Sequence, residues 1–113
     1  MDIYYNNGEF VDSAKAVISV NDLIVLRGYG VFDFMRTYNR RPFYLEEHIG
    51  RLENSARLIN LELSWSSEEI YNAVMETVEK NPGHKECNIR IVCTGGMSVD
   101  ADDVTSSAIR DRT

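Results

Sequence analysis

Cysteine and proline are both scarce in these 113 residues, with two of each. Cys87 and Cys93 fall in one stretch that reads as a strand, where six residues span roughly 20 Å. A disulfide needs Cα atoms within about 7 Å, so an intact strand keeps them unpaired. Neither belongs to a Cys-x-x-Cys pair, so no metal site is indicated. They read as small buried residues in a reducing compartment. No apolar run approaches the roughly 20 residues of a membrane span. The opening MDIYYNNGEF is polar and acidic, unlike a secretory leader. The default expectation is therefore a cytoplasmic protein with no membrane partner. Positive charge is also short, with 12 Lys and Arg against 18 Asp and Glu, a net charge of −6. That balance argues against a nucleic-acid partner, which calls for a basic stripe. Lysine occurs only at positions 15, 80 and 85.

What is present is concentrated between Arg27 and Ile59. Gly28 and Gly30 bracket Tyr29 and read as a backbone bend before a strand. A strand follows the glycines rather than a helix, so this is not a dinucleotide fingerprint. Alternation over 31–38 sets Phe32, Phe34, Arg36 and Tyr38 on one face and Val31, Asp33, Met35 and Thr37 on the other. Asn39-Arg40-Arg41-Pro42 closes a hairpin that Phe43-Tyr44-Leu45 continues. Arg40 and Arg41 read as solvated surface. A helix then runs to about Leu61, with Glu46 and Glu47 in its first turn, where negative charge suits the dipole. Leu45, Ile49, Leu52, Ala56 and Ile59 form its apolar stripe. His48, Arg51 and Ser55 form a polar one beside it.

Around this stretch the chain opens with a hairpin, Ile3-Tyr4-Tyr5 turning at Asn6-Asn7-Gly8 into Glu9-Phe10-Val11. Val17–Val20 is a short apolar segment, and Asn21-Asp22 reads as a turn. Ser66 and Glu69 form a capping box for a second helix reaching about Lys80, with Ile70, Tyr71, Val74 and Val78 inward. Residues 87–94 read as a further strand, ended by Gly95-Gly96. From Met97 the pattern loses periodicity and reads as a loop or frayed tail over 97–113. The order of elements predicts an α+β domain, a mainly antiparallel sheet with two helices packed on one face.

The spaced motif G-x-G-V-F-D-x-x-R-T-Y, followed after the hairpin by E-H-x-x-R-L-x-x-S-A, resembles the N-terminal domain of the class IV aminotransferases. These are fold-type-IV pyridoxal 5′-phosphate (PLP) enzymes, among them branched-chain and D-amino-acid aminotransferases and aminodeoxychorismate lyase. The resemblance runs from near Tyr4 to about Gly96. It implies a small domain over 1–96 with the same α+β architecture, a homodimer, and amino-acid and 2-oxo-acid substrates. It departs from the family at Leu23-Ile24, where D-R-G is frequent.

Matched by position, Arg51 is the arginine that binds the PLP phosphate. A guanidinium suits that task, being permanently charged with a planar fork of donors. Without the resemblance, Arg51 reads as a surface residue paired with Glu47 at i−4. His48 would brace Arg51 or a nearby carboxylate, or simply pack. Phe32, Phe34, Arg36 and Arg90 match positions that line the substrate pocket, although some members carry the arginine where Gly95 stands here. For the phenylalanines the other reading is core packing. The lysine that engages the cofactor has no match at Lys15, Lys80 or Lys85, and the resemblance puts it beyond Thr113 in a C-terminal domain. The chain alone is therefore expected to be inactive as a transaminase. Two alternatives remain: a lyase using the same cofactor, and a non-catalytic interaction module derived from the family.

Overall fold

The computed structural model describes residues 2–97. Strands β1 (Ile3–Asn6) and β2 (Glu9–Asp12) form an antiparallel pair of their own. Their turn uses positive φ at Asn7 and Gly8, the geometry that matches strand twist in a tight hairpin. Then come α1 (Leu23–Arg27), β3 (Gly30–Tyr38), β4 (Arg41–Pro42), α2 (Leu45–Leu58), α3 (Ser67–Glu79) and β5 (Asn88–Thr94). The last three strands make a second antiparallel sheet in the order β4-β3-β5. The α+β expectation holds, with two separate sheets in place of one. Asn81 ties the first sheet to the end of α3. Its side chain accepts from Ile3 N–H and donates to Ile3 O, both at 2.8 Å. No helix among the described residues is long and apolar enough to cross a membrane.

Register on β3–β5 decides which side chains share a face. Val31 lies opposite Cys93, Asp33 opposite Ile91 and Met35 opposite Ile89. Both long helices cover this face. Met35, Leu45, Ile49, Leu52, Ile70, Val74 and Cys93 form the core between them and the sheet. The other face pairs Phe32 with Val92 and Phe34 with Arg90.

Several local expectations change. The turn expected at Asn21-Asp22 forms, with the Asp22 N–H donating to Ser19 O at 3.0 Å, but it leads into a short helix that the pattern does not signal, α1, whose N-cap is Asp22 and whose left-handed C-cap is Gly28. Gly30 is needed for space rather than for φ. A Cβ there would stand 2.6 Å from Ile24 Cδ1 and 2.9 Å from the Cys93 carbonyl. The hairpin's return strand is only two residues, because Tyr44 takes a left-handed conformation at the N-cap of α2. That helix stops at Leu58, so Ile59 is partly exposed and Leu61 folds under in its place. The capping box of α3 forms as expected, but Tyr71 stays outside the core. Arg40 is not simply solvated. It donates to the Val78 and His84 carbonyls, while Glu86 accepts from Thr37 Oγ1 and from the Asn39 and Arg40 N–H groups. This cluster supports two consecutive non-glycine residues with positive φ, Asn39 and Arg40. Apart from Met97, the tail expected over 97–113 lies outside the described residues.

Candidate functional site

Alternation along β3 carries Asp33 into the covered row, between Val31 and Met35, where it is 4 % exposed. A carboxylate in that position is costly unless it finds donors. The overlying helix supplies them, since His48 and Arg51 lie one turn apart on α2 and both reach Asp33. Arg51 grips it with two bonds, Nε to Oδ2 and Nη2 to Oδ1, each 2.8 Å. His48 Nδ1 stands 2.7 Å from Oδ1, and the Phe34 N–H donates to the same oxygen at 2.9 Å. An ionised carboxylate only accepts, so Nδ1 of His48 carries the proton in this contact. The 3.2 Å approach of Arg51 Nη2 to His48 Nδ1 then places two donors side by side against a shared oxygen. Hydrogen bonding from Arg51, against the opposing effect of burial, lowers the Asp33 pKa to about 2.

The cluster is asymmetric. Asp33 is hidden, whereas the Arg51 side chain is 64 % exposed. Only the Nε–Nη2 edge of the guanidinium is engaged, and Nη1 meets no hydrogen-bond partner among the described residues. The arrangement is a fixed cation with unused donors directed away from its counter-ion.

The other expected site residues gather on the opposite face. Phe32 and Phe34 are both exposed, so packing in this chain's core is not their role. The Arg90 guanidinium lies 5.9 Å from the Phe32 ring centre and 5.5 Å from that of Phe34, within cation–π range. Arg36 sits 4.8 Å over Tyr38, its Nε donating to Thr37 O at 3.4 Å. Strand β3 therefore separates two groups: Arg51 and His48 with Asp33 on the helix side, and Phe32, Phe34, Arg36 and Arg90 on the open side. Glu47 is not the partner of Arg51. Asp33 is, and sequence reasoning had not singled it out. The available signal was a lone carboxylate in the buried row of a strand. None of the three lysines meets this cluster, and Lys80 instead lies over Phe10.

Comparison with known proteins gives one consistent answer. The family model for amino-transferase class IV matches residues 30–109. A Methanocaldococcus jannaschii protein, provisionally named a branched-chain-amino-acid aminotransferase, is 40 % identical over 93 residues, which is 82 % of this chain and 32 % of that one. The D-alanine aminotransferase of Staphylococcus aureus is 36 % identical over 81 residues, 72 % of this chain and 29 % of its own length. Among solved structures, a T.th. branched-chain amino acid aminotransferase complexed with N-(5′-phosphopyridoxyl)-L-glutamate superposes with a TM-score of 0.77. It is 33 % identical, over 85 % of this chain and 33 % of that one. The chain thus spans about a third of the length of these proteins.

Proposed function

Since the chain belongs to the class IV aminotransferases, we propose that it is the N-terminal domain of a PLP-dependent enzyme that moves an amino group between an amino acid and a 2-oxo acid. The observation that carries the reading is the half-used fork of Arg51. A phosphate dianion needs a permanent cation with free donors in a fixed place, and the donor set here has that chemistry. The cofactor, when bound, supplies the electron sink and the amino-group carrier. The residues of this chain bind and orient. Arg51 holds the phosphate, and His48 supports it through their shared carboxylate. On the far side of β3, Phe32 and Phe34 offer an apolar wall to a substrate side chain. Arg90 and Arg36 are the cations placed to orient a substrate carboxylate.

The three lysines lie away from Arg51, which supports the view that these 113 residues alone do not turn over. The same reading makes the protein a cytoplasmic homodimer. Exposed Val17, Ile18 and Val20 are apolar surface that self-association would cover. The test is to mix the chain with PLP, a branched-chain amino acid and 2-oxoglutarate and assay keto-acid formation. No turnover is expected. Turnover that disappears in Arg51→Ala would overturn the inert reading. In the same series, Arg51→Ala should abolish any preference for phosphorylated over unphosphorylated vitamers. A variant that keeps the preference would remove Arg51 from the phosphate site. A strict monomer in sedimentation at high concentration would count against the dimer.

A further inference from the structure

A carboxylate beside an anion site works against the anion, so the place of Asp33 behind Arg51 calls for a reason. We propose that Asp33 is a positioning residue. It clamps the Nε–Nη2 edge of Arg51 and so presents Nη1 to the phosphate, and the gain in geometry outweighs the repulsion from its charge. The inference rests on Arg51 being the phosphate arginine.

Three observations support the clamp. Asp33 is anchored on the middle of β3, where its strand neighbour Ile91 and the Phe34 N–H hold it from two sides. His48 takes up Oδ1 at 2.7 Å, which leaves the carboxylate little freedom to rotate away from Arg51. Arg51, by contrast, projects from an exposed helix face, where an untethered arginine would sample many rotamers. A bidentate pair restricts that sampling to one orientation of a planar group. The opposing effect is weak. With the guanidinium open to water, repulsion between Asp33 and a phosphate beyond it costs about three-fold in affinity. Losing a pre-set bidentate geometry costs about ten-fold. The two effects have opposite signs, so one substitution separates them.

The experiment uses the 113-residue chain with pyridoxamine 5′-phosphate and unphosphorylated pyridoxamine as probes, read by calorimetric titration. A second readout needs no probe: the Nε–Hε resonance of Arg51 in nitrogen-correlated NMR, identified by its loss in Arg51→Ala. In the parent this proton should exchange slowly with water. Asp33→Asn should make it exchange fast and weaken binding of the phosphorylated probe about three-fold, the loss of geometry less the relief of repulsion, with pyridoxamine binding unchanged. Arg51→Lys keeps the charge without the planar fork, sits on an exposed position that tolerates change, and should lose nearly as much as Arg51→Ala. Tighter binding in Asp33→Asn, or undiminished binding in Arg51→Lys, overturns the positioning role while leaving Arg51 as the phosphate residue. Should Asp33→Asn fail to fold by circular dichroism, the lysine variant decides the matter. Equal affinity of the parent for the two probes, or parent-like binding by Arg51→Ala, sinks the phosphate reading and the inference with it.

Discussion

Asp22 and Asp33 are almost equally hidden, 5 % and 4 % exposed, yet they are satisfied in different ways. Among the described residues, Asp22 accepts only from neutral donors. Its Oδ1 takes the Ile24 N–H at 2.9 Å, capping α1, and its Oδ2 takes the Thr94 hydroxyl at 2.9 Å. One partner is a backbone N–H and the other a hydroxyl that itself accepts from the Gly96 N–H at 3.1 Å, and the nearby Leu23 N–H bond to Gly96 O closes the same seam. Asp33 accepts from a histidine and an arginine, and the arginine extends to solvent. A buried carboxylate with neutral donors joins two pieces of chain. One satisfied by a cation transmits its fixed position to the surface, where a ligand can use it. That difference marks Asp33 rather than Asp22 as part of a site.

The largest effect should come from Asp22→Ala. It removes an N-cap and leaves the Thr94 hydroxyl without this acceptor, a loss of about 2 kcal/mol in urea unfolding. Its binding of phosphorylated probe should be unchanged. A folded Asp22→Ala protein that binds as poorly as Asp33→Asn would erase the distinction. Asp33→Asn should cost less, about 1 kcal/mol, because Arg51 is free to rehydrate while Phe34 and His48 keep partners. A reversed order of the two losses would mean that the exposed cation matters more to folding than its accessibility implies.

The pH dependence comes next. The Asp33 pKa is depressed in the folded state, from an ordinary value of 3.8 to about 2. Its contribution is therefore complete above the unfolded value and is lost as pH falls from about 4 through about 2, on the order of 1 kcal/mol after solvent screening. Urea melts of parent and Asp33→Asn should converge over that window. Glu86 is also held low, chiefly by the Thr37 hydroxyl, but it is present in both proteins and cancels from the difference. Convergence above pH 5 would contradict the assignment. The smallest effect is that of salt. One-molar sodium chloride should shrink the parent-to-Asp33→Asn gap by a few tenths of a kcal/mol, and leave the Asp22→Ala gap alone. An equal response in both would show that neither pair is differentially screened.

Much of this architecture is legible from local pattern. The two faces of β3 follow from a side-chain period of two, whatever the strand packs against, so Phe32 and Phe34 separate from Asp33 and Met35 before any fold is known. The start of α3 at Ser66 follows from a capping box that closes within four residues. The spaced motif around Arg51 is likewise readable as a family signature, and residues 30–109 match that family. By contrast, α1 has five residues, too few for periodicity to register. It depends on Asp22, whose second oxygen meets Thr94 from the far end of the described chain. The early end of α2 depends on Asn60 adopting positive φ so that Leu61 can reach the core.

Which residues share a face, where α3 begins and which family the motif belongs to are all local properties of the chain. These features rest on periodicities and hydrogen bonds spanning a few residues. The choice of Asp33, 18 positions away, over Glu47, one helical turn back, as the partner of Arg51 depends on how α2 packs on the sheet. A local pair on a wet helix surface is worth only a few tenths of a kcal/mol. A carboxylate buried under that helix requires a donor, and the packing of α2 on β3 sets Arg51 and His48 above it.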